Sequence, residues 1–412
     1  MTPGTQLAFL NVAHFLCHYF LLIFPTAVIA IAADWALSYG AALALGTPLY
    51  VLFALATLPA GWLGDHWNGQ HLIALSFFGL GGASLFIAFA ADDLWLMVGM
   101  GALGLFAAIY HPVGLAMVTR LSDRPGHALA VNGVFGNLGL AAAALATGLL
   151  ADAFGWRSAF LVPGLVVLVV GLVHLMAVRR HDASAHASHR TSRPDTITVP
   201  RAIQIRVVAV ILLAALFSGV IFNGVTISLP KLFDERLGAI APTLAGVGGY
   251  TTLVFAVAAF AQLPVGNLLD RVGGRPVMLA LYVLIAATLA LLSQAFGWLA
   301  VPGALVVVTF MFAGLPITGW LLGRYVASSW RSRAFAAEYV LSLGMASVIV
   351  PAIAFLHESG YGFDSQYLLF ALSAGVVVLG AAALPRAVTL ARAKAQASLP
   401  ISPPAPAPSS RT

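Results

Sequence analysis

The sequence predicts an all-α polytopic membrane protein with twelve transmembrane helices arranged as two pseudo-symmetric six-helix bundles. Three observations carry this. First, 61% of the 412 residues are apolar and only 8% are charged, whereas a soluble domain carries about 25% charged residues. So few charges cannot cover a water-facing surface, so most of the surface faces lipid. Second, the chain divides into apolar runs long enough to cross a bilayer, which takes about 20 residues each. Third, landmarks in the two halves of the chain repeat at a nearly fixed offset.

The runs, in order, are 6–33, 40–62, 71–91, 94–119, 128–151 and 158–178, then 205–230, 243–268, 277–295, 300–323, 333–357 and 365–384. The first run is too long and lacks the basic start of a cleaved signal peptide, and it contains His14 and His18. Between the two groups of six, residues 179–204 form a polar linker, and from 385 to 412 the tail is rich in Ala, Pro and Ser and predicts disorder. The expected organisation is therefore a bundle over 1–178, a linker over 179–204, a bundle over 205–384 and a tail over 385–412. His181, His186 and His189 in the linker read as solvated residues, with metal binding as the alternative.

Charge placement gives the orientation. With the N-terminus inside, 17 of the 20 Lys and Arg fall on inner loops and the tail; only Arg157, Lys231 and Arg236 fall outside. Acidic residues such as Asp34, Asp92, Asp152, Glu235 and Glu358 mark the other side. The net charge of +6 thus records membrane topology and does not call for nucleic acid. Both termini are expected in the cytoplasm, in a multi-pass protein of the inner (plasma) membrane. The single cysteine, Cys17, excludes an intramolecular disulfide and reads as a packing residue.

The repeat is specific. Pro59, Gly61 and Asp65 at the inner end of the second run match Pro264, Gly266 and Asp270 at the inner end of the eighth, 205 residues later. Pro25 and Pro230 are also 205 residues apart, and Pro112 and Pro316 are 204 apart. Six spans repeated in one orientation imply two halves related by an axis along the membrane normal, with a site between them at mid-depth. Such a protein moves a solute by rocking one half against the other.

On these residues the chain resembles the major facilitator superfamily over essentially all its spans. The family's loop signature appears twice: as Gly266, Asp270, Arg271, Gly273 and Arg275, and as Gly61 and Asp65, where His66 replaces the basic residue and the next glycine shifts by one. The resemblance implies that these residues form a conformational gate, the Asp capping a helix N-terminus and latching the inner side closed. Within the superfamily the chain is similar to fosmidomycin-resistance-type exporters, through Ala13-His14, Ile109-Tyr110-His111-Pro112 and Gly133-Val134-Phe135-Gly136-Asn137-Leu138-Gly139. It departs from that group in having Ala141 to Ala144 where a Gly-Pro pair associated with antiporters is usual, and His18 where an acidic residue is common.

Ionisable groups inside a membrane cost roughly 2.5–3.5 kcal/mol each on insertion scales, so each is a functional candidate. Asn11, His14 and His18 share one face of the first helix. His18 and Asn223 each lie seven residues before matched prolines, which predicts that they face each other across the central axis. His111 precedes Pro112, where a kink aims it and Tyr110 at the cleft. Glu338 is the one carboxylate within a span: either part of a proton path or gate, or a salt-bridge partner of Arg331 or Arg333. Asn132, Asn137 and Gln262 read as cavity or interhelix hydrogen-bonders, and His174 and His357 as residues of the membrane boundary. The structural alternative for the histidines is hydrogen bonding between neighbouring helices. A metal site is not expected, because His14 and His18 alone supply two ligands and Cys17 points to another face.

The expected function is secondary transport by alternating access: proton-coupled export of a small organic solute, with Asn11, His14, His18, Tyr110, His111, Asn137, Asn223 and Glu338 along the substrate and proton pathway. An importer or uniporter of an organic acid or sugar derivative is the alternative, and a transporter-like sensor or interaction protein a remote one. An enzyme is not expected, since the chain has no P-loop, nucleophile elbow or metalloprotease motif. No cofactor is implied; the partners are the substrate, protons and the lipid bilayer, and a monomer suffices.

Overall fold

A computed structural model describes residues 1–179, 200–326 and 328–385. The linker over 180–199 with His181, His186 and His189, and the tail from 386, lie outside the described residues.

Among the described residues the chain is helical throughout, with twelve helical stretches long and apolar enough to cross a membrane. Five of these crossings are interrupted, so seventeen α-helices build them. The first six crossings comprise α1 (Pro3–Asp34), α2 (Tyr39–Ala44) with α3 (Thr47–His66), α4 (Gly69–Ala88), α5 (Asp93–Ala107) with α6 (Tyr110–Leu121), α7 (Pro125–Phe154) and α8 (Ser158–Arg179). The last six comprise α9 (Arg201–Leu237), α10 (Leu244–Ala258) with α11 (Gln262–Val272), α12 (Gly274–Ser293), α13 (Ala300–Ala313) with α14 (Pro316–Tyr325), α15 (Ser328–Gly344) with α16 (Ala346–Glu358), and α17 (Phe363–Ala382).

Local chemistry sets the starts and breaks. The Thr2 hydroxyl accepts from the Thr5 N–H, Asp92 from Trp95 N–H, and Thr243 from Gly246 N–H, each satisfying a backbone donor at a helix start. The break between α5 and α6 falls at residues 108–109, one turn before Pro112, and that between α13 and α14 just before Pro316. Proline removes a donor and crowds the carbonyl one turn earlier, which is where both helices open. Pro25, Pro59 and Pro230 sit inside unbroken helices. The seventh crossing therefore runs past the predicted end at Pro230, carried on by Lys231 paired with Asp234 at 2.6 Å. It also starts at Arg201, inside the stretch expected to be linker.

The outer surface is apolar: Leu291, Phe355 and Leu379 are each at least 70% exposed. In lipid this is the expected solvation, since helices pair most backbone groups internally. Sulfur and small-residue packing fill the interior, where Cys17, Phe20, Phe24, Phe255 and Phe312 are wholly buried.

The two ends of the molecule differ. At the end carrying the acidic loops, the first six crossings are bound to the last six. The Asp152 carboxylate, at the end of α7, accepts from the Leu244 and Ala245 N–H groups at the start of α10 at 3.2 and 2.7 Å. Glu358, at the end of α16, accepts from the Gly40 N–H at the start of α2 at 3.1 Å. Nearer mid-depth, Thr252 donates to the Ala141 carbonyl and accepts from Leu145 N–H. Backbones touch here: a Cβ on Gly148 would sit 2.4 Å from the Leu244 oxygen, and one on Gly248 2.3 Å from the Ala144 oxygen, the close approach that small residues permit. At the arginine-rich end, His66 bonds the Trp62 carbonyl and Asp270 the Trp320 indole, each within its own six crossings.

Candidate functional site

At mid-depth three imidazoles converge. His14 and His18 lie one turn apart on α1, and His111 comes from the first turn of α6. The His18 Nε2 is 3.2 Å from His14 Nε2 and 3.2 Å from His111 Nε2. His14 and His111 are buried, while His18 is part-exposed.

Helix packing places each ring. The glycine stripe of α7 lets that helix lie on α1: a Cβ at Gly136 would meet the His14 ring at 2.7 Å, and one at Gly139 the Phe15 carbonyl oxygen at 2.1 Å. The break before Pro112 turns His111 toward α1, where its Nδ1 faces the Cys17 thiol at 3.9 Å. Cys17 donates to the Ala107 carbonyl at 3.4 Å, inside the same break. Cys17 thus lies off the face shared by His14 and His18, as expected, and meets only the far nitrogen of His111.

Asn132 on α7 organises the cluster. Its backbone carbonyl lies 2.8 Å from His14 Nδ1; a carbonyl only accepts, so Nδ1 carries the proton and Nε2 presents a lone pair. Its side chain accepts from the Tyr110 hydroxyl at 2.8 Å and donates to Asn11 Oδ1 at 2.9 Å and to the Leu10 carbonyl at 3.3 Å. Tyr110 stacks on His14 with ring centres 4.7 Å apart. Asn11, His14, His18, Tyr110 and His111 are therefore one hydrogen-bonded group, with Asn132, named above only as a possible interhelix bonder, at its hub.

Other candidates lie apart. Asn223 is buried and donates to the Gly219 and Ser342 carbonyls of the last six crossings at 2.8 and 3.1 Å. The repeat places its backbone correctly, but Gly219 and the end of α15 lie within reach of its amide. Asn137 is buried on α7, with its Nδ2 unpartnered among the described residues. Glu338 accepts from the Thr318 hydroxyl at 3.1 Å; Arg333 makes no ion pair with it among the described residues, and the Arg331 side chain lies outside them. His174, near the end of α8, is wholly buried, between Phe9 and Phe77, and bonded to the carbonyl of Gln70 at the start of α4 at 3.0 Å. His357 does lie near the acidic end, 3.0 Å from Glu235.

The loop signatures are disengaged. Asp65 has no hydrogen-bond or ion-pair partner among the described residues, and His66 bonds the Trp62 carbonyl at 2.8 Å and stacks on the Trp62 ring. Asp270 accepts from the Trp320 indole at 2.8 Å, within its own six crossings, and Arg324 stands over that indole. Arg271 and Arg275 lie on the same loop region, with Arg271 exposed. Gly61 would allow a Cβ at ordinary contact with Pro112 and Gly266 has open space around it; the close approach falls instead at Gly64, where a Cβ would be 2.9 Å from Val113.

Residues 7–249 match the sequence profile of the Major Facilitator Superfamily. The chain is 25% identical over 248 residues to a nitrite extrusion protein of Bacillus subtilis (strain 168), a match covering 58% of each chain; it thus spans about 58% of the length of that curated relative. Among solved structures it is similar to a bacterial homolog of the human lysosomal transporter Spinster in an inward-facing, unoccupied conformation, with a TM-score of 0.70 at 14% identity over 96% of this chain and 98% of that one. It is similar to a D-xylose-proton symporter with a TM-score of 0.71 at 14% identity, over 90% and 95% of the two chains. At such identities the likeness shows the fold.

Proposed function

Because the chain belongs to the Major Facilitator Superfamily and is a multi-pass membrane protein, we propose that it is a secondary active transporter working by alternating access, and that it exports a small organic solute in exchange for protons. The observation that carries the reading is the convergence of His14, His18 and His111 below the end at which the two groups of helices are clasped by Asp152 and Glu358. The arginine-rich end is the cytoplasmic one by the positive-inside rule, so both termini are cytoplasmic and this conformation opens inward. Residues 1–178 and 205–384 move as the two bodies. Asp65 and Asp270, disengaged here, recapture partners when the inner end closes.

The triad supplies the coupling. With His14 Nδ1 committed to the Asn132 carbonyl, neutral tautomers place one linear N–H···N bond at most across the two 3.2 Å contacts of His18. An added proton goes to a ring nitrogen that lacks one and charges the cluster without adding a second linear bond at His18 Nε2, and a substrate that takes the same nitrogens displaces it. The groups facing the triad are the Tyr110 hydroxyl, the Asn11 and Asn132 amides and the Cys17 thiol. Export is supported by the resemblance to fosmidomycin-resistance-type exporters and by the nitrite extrusion relative.

Reconstituted into proteoliposomes with an imposed pH gradient, the protein is expected to show substrate-dependent proton flux, and His18→Ala to abolish it. Candidate solutes come from a thermal-shift screen across antibiotics and metabolites. Undiminished flux in His14→Ala, His18→Ala and His111→Ala alike would sink the histidine mechanism. A second reading, import or uniport, is favoured by the alanines at 141–144, which replace the expected Gly-Pro pair and pack against α10. Counterflow without a proton gradient distinguishes it.

A further inference from the structure

The triad has a geometry that proton exchange alone does not use. A proton bridges two nitrogens along one line, whereas here three Nε2 atoms point into one space, all within 4.8 Å of one another. Two of the three edges measure 3.2 Å. Tetrahedral coordination at a metal–nitrogen distance of 2.0–2.1 Å sets the nitrogens about 3.3 Å apart, so those two edges already have the span of a metal polyhedron. Helical spacing groups only His14 with His18, because His111 lies 93 residues beyond His18 and is delivered by the α5–α6 break.

The surroundings are those of a ligand set. His14 donates its remote nitrogen to a backbone carbonyl, the contact that fixes the tautomer of metal-bound imidazoles and turns Nε2 outward as a base. The second nitrogen of His111 faces the Cys17 thiol, on the side of the ring away from the triad. Cys17 therefore supports a ligand without being one. No carboxylate reaches the triad among the described residues, which excludes ions that demand oxygen, such as magnesium and calcium, and favours those that suit imidazole. His18, the part-exposed member, leaves a fourth position on the cleft side.

We propose that His14, His18 and His111 bind a divalent first-row transition-metal ion of the zinc or cobalt class, and that this ion, alone or with an anionic donor in the fourth position, is the cargo. The assignment as cargo rests on the transport reading above; the binding does not. An ion held by three neutral ligands and one exchangeable one, between two bodies that part at one end, is bound firmly enough to be selected and loosely enough to leave.

The test uses untagged full-length protein in detergent, with Co²⁺ as the probe. The expected result is one Co²⁺ per chain with the visible absorption of a low-coordinate nitrogen site, displaced by Zn²⁺. His18→Gln and His111→Gln are expected to weaken binding at least 100-fold, on the scale of lost ligation, while replacement of His181, His186 and His189 in the linker by Ala leaves it unchanged. X-ray absorption on the Zn²⁺ form, which needs no variant, is expected to show three imidazole nitrogens near 2.0 Å. In proteoliposomes, a pH gradient should drive Zn²⁺ flux. Absence of stoichiometric Co²⁺ binding, binding that survives in both triad variants, or binding without Zn²⁺ flux while an organic solute is still moved would overturn the proposal. Loss of proton-driven flux for every solute, with Co²⁺ still bound, would instead strike the transport reading.

Discussion

The first six crossings and the last six share a backbone plan but not a chemistry. At the 205- and 204-residue offsets of the repeat, the positions of His14, His18 and His111 are taken by Gly219, Asn223 and Leu315. In the first group the side chains converge into a cluster of free nitrogens held by Asn132. In the second, Asn223 spends its amide on the Gly219 and Ser342 carbonyls and stitches α9 to α15. The same scaffold position thus serves ligand chemistry once and helix packing once. A two-fold axis dictates where a Cα lies, not which neighbour its side chain meets.

Copying the second group into the first is the sharpest way to break this comparison. His18→Asn is expected to reduce proton-driven flux to that of empty vesicles, measured under an imposed pH gradient. The next effect concerns the shared architecture, not the asymmetric site. Gly148→Leu forces a side chain into space held by the Leu244 backbone; overpacking of this kind costs about 1–3 kcal/mol. It should shift the protein away from the conformation closed at the acidic end, read as faster labelling there of an engineered cysteine by an impermeant maleimide. Asp152→Ala and Glu358→Ala should each act in the same direction by roughly 0.5–2 kcal/mol, the cost of a lost helix cap. Smallest is the change in the second group. Asn223→Ala should lower the unfolding temperature in detergent by the equivalent of about 0.6–1.7 kcal/mol while leaving coupled flux intact. Loss of coupling in that variant would show that the second group's residue does more than pack.

Much of the fold was legible because a bilayer constrains few variables. Apolar run length identified all twelve crossings, and Pro112 located the break at residues 108–109; the matching break before Pro316 was not anticipated. The seventh crossing ran long because Lys231, Asp234 and Glu235 satisfy one another on successive helical turns, so polarity alone did not end it. The site was legible in part. One-turn spacing grouped Asn11, His14 and His18, and Pro112 pointed to His111. Periodicity could not place α7, however, so Asn132 gave no sign of being the hub. A signal was present: Asn132 adjoins the Gly133, Gly136 and Gly139 stripe, and a stripe that brings two helices into contact also brings the polar residue beside it.

The two carboxylate caps at the acidic end run in opposite senses. Asp152 reaches from the first group of helices to the second, and Glu358 from the second to the first. Together they make a bivalent clasp. If one arm lets go, the other keeps the separated partners at high effective concentration, and the broken contact re-forms as an intramolecular event. Opening at this end therefore requires both arms to release together, so transient fraying of either one does not part the two groups of helices.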